Sequence, residues 1–120
     1  MAWQYSSLAM ALVTSKEKNM RAIWKGTVIA DASKEDLIYI EQNWYFPPSS
    51  VKQGLLRKSD TPYTCPWKGE CQYFDVGNGD DDWSKDSAFS YPKPKPSAID
   101  IVKKDFSGYV AFWRDVSVEE

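Results

Sequence analysis

A mostly-β, antiparallel α+β domain with two short helices is predicted by three observations. Short apolar–polar alternations recur along the chain, broken by glycine, proline and asparagine at turn spacing. Aromatic residues are abundant, with six Trp, seven Tyr and five Phe, and flat rings pack well on a pleated surface. The 120 residues, 42% of them hydrophobic, suffice for one core and hardly for two.

The elements follow in order. Residues 1–19, MAWQYSSLAMALVTSKEKN, carry a short apolar patch with no basic residue before it, which fits a secretory signal badly. They read as an N-terminal extension, and a single domain is expected over residues 20–120, in the cytoplasm. RAIWKGTVIADA, residues 21–32, is a hairpin turning at Lys25-Gly26, where glycine supplies a positive φ. DLIYIEQNWYF, residues 36–46, repeats the plan with a turn at Gln42-Asn43. Pro47-Pro48 stops that strand, and Ser49 or Ser50 is placed to cap a helix running to about Lys58, with Val51, Leu55 and Leu56 on its apolar side. YTCPWKGECQYFDV, residues 63–76, is a strand pair reversing around Trp67-Lys68-Gly69. Residues 77–85, GNGDDDWSK, read as loop, residues 88–91 as a short strand, and the alternating prolines of residues 92–96 as a stiff extended run. A helix over residues 97–104 and a strand over residues 108–113, with a tail to Val118, complete the domain.

Fifteen basic against seventeen acidic residues give a net charge of −2, so no overall field exists to hold a polyanion. Nucleic acid is not an expected partner. No stretch approaches the roughly 20 apolar residues of a membrane span. Histidine is absent and cysteine occurs twice, which removes the commonest general acid/base, the commonest metal ligand and every four-ligand Cys/His zinc site. No metal and no cofactor are expected, and the chain reads as a monomer or homodimer.

NWYFPP, SDT, TCPWKGE, YPKPKP and VAFW, in that order, resemble the bacterial and fungal family known as domain of unknown function 427. The resemblance implies a compact two-sheet antiparallel fold similar in outline to the β-tent group. Zinc knuckles of that wider group need two Cys-x-x-Cys pairs, which this chain lacks. A nucleotidyltransferase-like label sometimes given to the family requires metal-holding carboxylates and a phosphate cradle. Neither a Gly-Ser turn before an Asp-x-Asp strand nor a phosphate-cradling glycine loop occurs here.

TCPWKG, residues 64–69, is the most suggestive segment. Cys65 is a candidate nucleophile with Lys68 lowering its pKa, although no histidine can relay its proton. The alternative is a small buried Cys65, a packed Trp67 and a turn-forming Gly69. A three-residue turn is expected to bring Cys65 opposite Cys71, where a disulfide could form under oxidation. Arg57, Ser59, Asp60, Thr61 and Thr64 form a polar cluster that could hold a carboxylate or phosphate, or satisfy its own loop. Trp24, Tyr45, Phe46, Trp67, Tyr73, Tyr91 and Trp113 could wall a pocket with Lys68 and Arg57 at its polar end, or simply form the core. The acidic run Asp80-Asp81-Asp82 lacks the alternation of a calcium loop. The leading expectation is a domain binding a small polar or anionic ligand in an aromatic pocket near residues 64–69. A Cys65–Lys68 enzyme and a protein-interaction domain stand as alternatives.

Overall fold

In a computed structural model, residues 18–120 are described, and the expected N-terminal extension falls almost wholly outside them. Among the described residues, nine strands and one helix follow in sequence: β1 (Asn19–Trp24), β2 (Thr27–Ser33), β3 (Ile38–Ile40), β4 (Asn43–Phe46), β5 (Leu56–Cys65), β6 (Gly69–Gly77), β7 (Trp83–Ser90), α1 (Pro96–Val102), β8 (Val110–Phe112) and β9 (Ser117–Glu119). They form a three-stranded sheet, β2-β1-β9, and a six-stranded sheet, β3-β4-β8-β7-β6-β5. Every strand pairing is antiparallel. No helix among the described residues is long and apolar enough to cross a membrane.

The first hairpin is as expected, with Lys25 and Gly26 both at positive φ, as its two-residue turn requires. The second turns at Glu41-Gln42, one residue early, because Asn43 already pairs with Ile40. The two-helix expectation is corrected to one. Residues 48–50 make a single 3-10 turn, after which Lys52 N–H donates to the Ile29 carbonyl and Val51 bridges Ala30. Gly54 at φ 83° breaks any further helical run. Three apolar positions over six residues are too few to hold an isolated helix, and pairing with β6 satisfies this backbone from Leu56 onward. The loop expected over residues 77–85 is shorter, since β7 begins at Trp83.

The centre of the larger sheet is covered on both faces, which explains the buried run of β8 and most of β7. Phe46, Ala88, Val110 and Phe112 face the small sheet and meet Met20, Ala22, Trp24 and Ile29 in the inter-sheet core. Their neighbours Tyr45, Phe89 and Ala111 face the other way, onto Ala98 of α1 and Phe106. The proline run leads into α1, whose Pro96 occupies the first turn, where a missing N–H costs nothing.

The junction of β6 and β7 is tight. A Cβ on Gly77 would lie 2.8 Å from the Trp83 ring. Gly77→Ala should therefore destabilise the domain by about 1–3 kcal/mol through forced displacement of Trp83, measured by chemical denaturation. An unchanged midpoint would show that the ring is not fixed there.

Candidate functional site

The segment singled out in the sequence is a clamped turn. β5 ends at Cys65, residues 66–68 turn, and Gly69 opens β6 at φ 115°. The proline run lies against it: Lys95 N–H donates to the Lys68 carbonyl at 2.9 Å, and Lys95 Nζ donates to the Pro66 carbonyl at 2.7 Å. A Cβ on Gly69 would stand 3.4 Å from the Lys93 carbonyl, so the residue type suits both the φ and the close approach.

With its backbone held, Lys68 turns inward and is only 6% exposed. Its ammonium lies 5.3 Å from the Trp67 ring centre and 4.9 Å from that of Tyr91, and donates to the Glu41 carboxylate. Taking an ammonium out of water costs several kcal/mol, which ring faces and one carboxylate offset here. Glu41 reaches it from the β3–β4 turn, where Glu41 and Gln42 sit at φ 52° and 69°. Side-chain-bearing residues held in that region cost on the order of 1–3 kcal/mol each.

Lys68 lines a groove of about 250 Å³ together with Asn43, Tyr63, Tyr73, Phe89, Tyr91 and Trp113. Strand register explains the convergence. Tyr63 pairs with Cys71 and Tyr73 pairs with Phe89, so period-2 alternation puts residues 63, 71, 73, 89 and 91 on one face. Phe89 is the hub, meeting Tyr45, Tyr73, Tyr91 and Trp113 edge to face at 5.4–6.4 Å. Tyr73 and Trp113 are nearly parallel, 10° apart with centres at 6.1 Å.

Trp113 is anchored by an irregularity of β7. Its indole Nε1 donates to the Asp86 carbonyl at 2.6 Å, and its backbone N–H donates to the Ser87 carbonyl at 3.1 Å. Residues 85–87 face the single residue Asp75, and residues 59–61 on β5 face the single residue Tyr73, so two bulges lie side by side. The polar cluster fills them. Asp75 accepts from Arg57 Nε and from Asp86 N–H, both at 3.0 Å. Thr61 Oγ1 donates to Asp86 Oδ2 at 2.6 Å, and Ser59 Oγ accepts from Thr61 N–H at 3.2 Å. Burial acts to raise the Asp86 carboxyl, but the Ser59 and Thr61 hydroxyls, with Lys85 and Arg114 nearby, outweigh it and hold it below the usual carboxylate range.

Of the residues expected at the site, Lys68, Tyr73, Tyr91 and Trp113 line the groove and Trp67 flanks the ammonium. Tyr45 lies beneath it, fully buried, its hydroxyl without a partner among the described residues. Burial, then the Glu41 charge, raises the Tyr45 pKa. The others are not brought to it as groove lining. Trp24 and Phe46 belong to the inter-sheet core, Arg57 stacks 4.2 Å over Trp83, and Thr64 is exposed opposite Glu70. Ser59 and Thr61 serve the bulges. Sequence reasoning missed Glu41, Asn43, Tyr63 and Phe89. Phase alone flags Tyr63, which stands eight residues before Cys71, but no local signal marks Glu41.

Both cysteines are free. The expected Cys65–Cys71 opposition is corrected: the turn falls one residue early, Cys65 faces Gly69, and Cys71 faces Tyr63. Cys65 is buried in the cluster under α1, and the Lys68 ammonium expected to activate it is bound to Glu41. Burial pushes the Cys71 thiol up to about 11, only partly offset by the Tyr91 hydroxyl and Lys68. Among the described residues, no three His, Cys, Asp or Glu side chains come together as a metal ligand set.

Two outcomes follow from these environments. Alkylation of Cys71 by iodoacetamide should be slow at pH 7.5 and rise about tenfold per pH unit until it levels off near the raised pKa of about 11; rapid labelling at neutral pH would contradict the partly desolvated thiol. A carboxyl with a depressed folded pKa adds stability above its unfolded value, about 3.9, and that stability is lost as pH falls through the folded value. The melting-temperature gap between the wild type and Asp86→Asn should therefore hold from pH 7 to about 5 and shrink below about 4. A gap that widens on acidification would refute the Asp86 network.

No match was found among curated proteins. The family model described as domain of unknown function (DUF427) matches residues 12–120, nearly the whole chain and all of both sheets. The chain belongs to the DUF427 family.

Proposed function

We propose that this chain is a cytoplasmic binding domain whose ligand is a small anion with an apolar body, seated in the groove above Lys68. One observation carries the reading: an ammonium 6% exposed lines an aromatic groove, and its single counter-charge is a half-exposed carboxylate. An ammonium has three donors, and Glu41 is the only hydrogen-bond acceptor on it among the described residues. An anion entering from the groove side meets a fixed, desolvated cation, where a charge-assisted hydrogen bond is strong. The aromatic walls supply apolar area and offset or edge contacts for a flat body. A groove of about 250 Å³ falls just below the roughly 300–1,000 Å³ of drug-sized sites, which favours a ligand of one or two rings.

A nucleophilic Cys65 has no observation in its favour, given where its side chain and the Lys68 ammonium lie. The exposed apolar side chains Tyr39, Tyr63 and Ile101 sit on separate elements, which gives an interaction surface little support.

A thermal-shift screen of small acids against neutral analogues tests the reading. An acid that stabilises the wild type should lose roughly 10- to 100-fold in affinity for Lys68→Met, the loss of one hydrogen bond to a charged donor. Tyr73→Ala should weaken it by about 1–3 kcal/mol through lost ring contact. Equal affinity for Lys68→Met and wild type would overturn the assignment.

A further inference from the structure

Resting on that reading, we infer that the Glu41 carboxylate is an internal stand-in for the ligand's own carboxylate, and that the groove takes a small carboxylic acid bearing a flat ring. The two partners of the ion pair are unequal. The Lys68 side chain is 7% exposed and that of Glu41 is 53% exposed. Lys68 cannot leave: ring faces of Trp67 and Tyr91 flank it, and its carbonyl is tied to Lys95. Glu41 stands on a two-residue turn at the tip of the β3–β4 hairpin, and Lys68 is its only side-chain partner among the described residues.

Exchange of Glu41 for another carboxylate leaves the buried ammonium neutralised throughout, so the exchange carries no desolvation of an unpaired charge. A phosphate dianion would bring two charges to a single cation. Asn43, two residues after Glu41, lines the groove together with Lys68, so the groove reaches the base of the turn that carries the competing carboxylate. The ligand's ring then lies against Tyr73 and Trp113, whose planes differ by only 10°. Glu41 is thereby a built-in competitor that keeps Lys68 paired when the groove is empty and sets a floor on the affinity a ligand must exceed.

Calorimetric titration of the full chain with benzoate, with neutral benzamide and with inorganic phosphate tests this in the wild type, Glu41→Gln and Lys68→Met. Benzoate is expected to bind the wild type and benzamide is not. Glu41→Gln should bind benzoate roughly 3- to 10-fold tighter, the gain from removing a half-exposed competing pair, and its melting temperature, lowered without ligand, should recover with benzoate. Lys68→Met should bind benzoate roughly 10- to 100-fold more weakly than the wild type. Unchanged or weaker benzoate binding by Glu41→Gln, with Lys68→Met still impaired, overturns the stand-in and leaves the groove assignment standing. Phosphate binding tighter than benzoate overturns the carboxylate class. Failure of every probe on both the wild type and Glu41→Gln overturns the groove itself. If Glu41→Gln does not fold, the Glu41 side-chain carboxyl ¹³C resonance of the wild type decides: on saturation with benzoate it should move to the position of a solvated glutamate, and a static resonance refutes displacement.

Discussion

An ammonium cannot be removed from water without a counter-charge and a polarisable surround, and Lys68 has one carboxylate and two ring faces for this purpose. That requirement ties three distant segments together. The turn at residues 66–68 must hold the side chain inward, and the proline run at residues 92–96 braces it with hydrogen bonds from Lys95. The β3–β4 turn must present Glu41, and does so in a left-handed conformation that residues other than glycine and asparagine seldom adopt. A two-residue hairpin turn requires positive φ at both central positions, and this turn presents Glu41 to the ammonium.

The groove exists because the six-stranded sheet is buried unevenly. On one face the small sheet packs over Phe46, Ala88, Val110 and Phe112. On the other, α1 has only seven residues and covers one end, leaving Tyr63, Tyr73 and Trp113 to wall an open trough around Phe89. The paired bulges of β5 and β7 complete it. Regular strands would leave no inward turn for the Asp86 carbonyl, and Trp113 would lack the acceptor that fixes its indole. The buried carboxylates of Asp75 and Asp86 are thus structural at one remove from the groove. They satisfy the bulges' backbone and hydroxyl groups, and the bulges set a wall.

Much of this was legible in the residues. Lys25-Gly26 and the alternation around it define the first hairpin, Pro47-Pro48 ends a strand, and the ordered segments from NWYFPP to VAFW identify the family. Of the segment TCPWKG, Lys68 lines the groove and Trp67 flanks its ammonium. Three things were not legible, because pairing partners, bulges and sheet membership are fixed by tertiary pairing rather than by local pattern. The turn before Gly69 came one residue early, so Cys71 met Tyr63 rather than Cys65. The bulges at residues 59–61 and 85–87 turned a candidate ligand cluster into backbone support. Trp24 and Tyr73 are both strand aromatics, and only sheet assignment separates the inter-sheet core from the groove. Glu41 was invisible because its partner lies 27 residues away, joined by tertiary structure alone.

The account stands on Lys68 being a desolvated, hydrogen-bonded ammonium rather than a surface cation folded against the protein. ¹⁵N NMR of the lysine side chains of the full chain addresses that directly. One Nζ resonance, lost in Lys68→Met, should show slowly exchanging ammonium protons near neutral pH and a scalar coupling to the Glu41 carboxyl carbon. A Lys68 Nζ that exchanges with water as fast as the surface lysines, with no coupling to Glu41, would contradict the central claim.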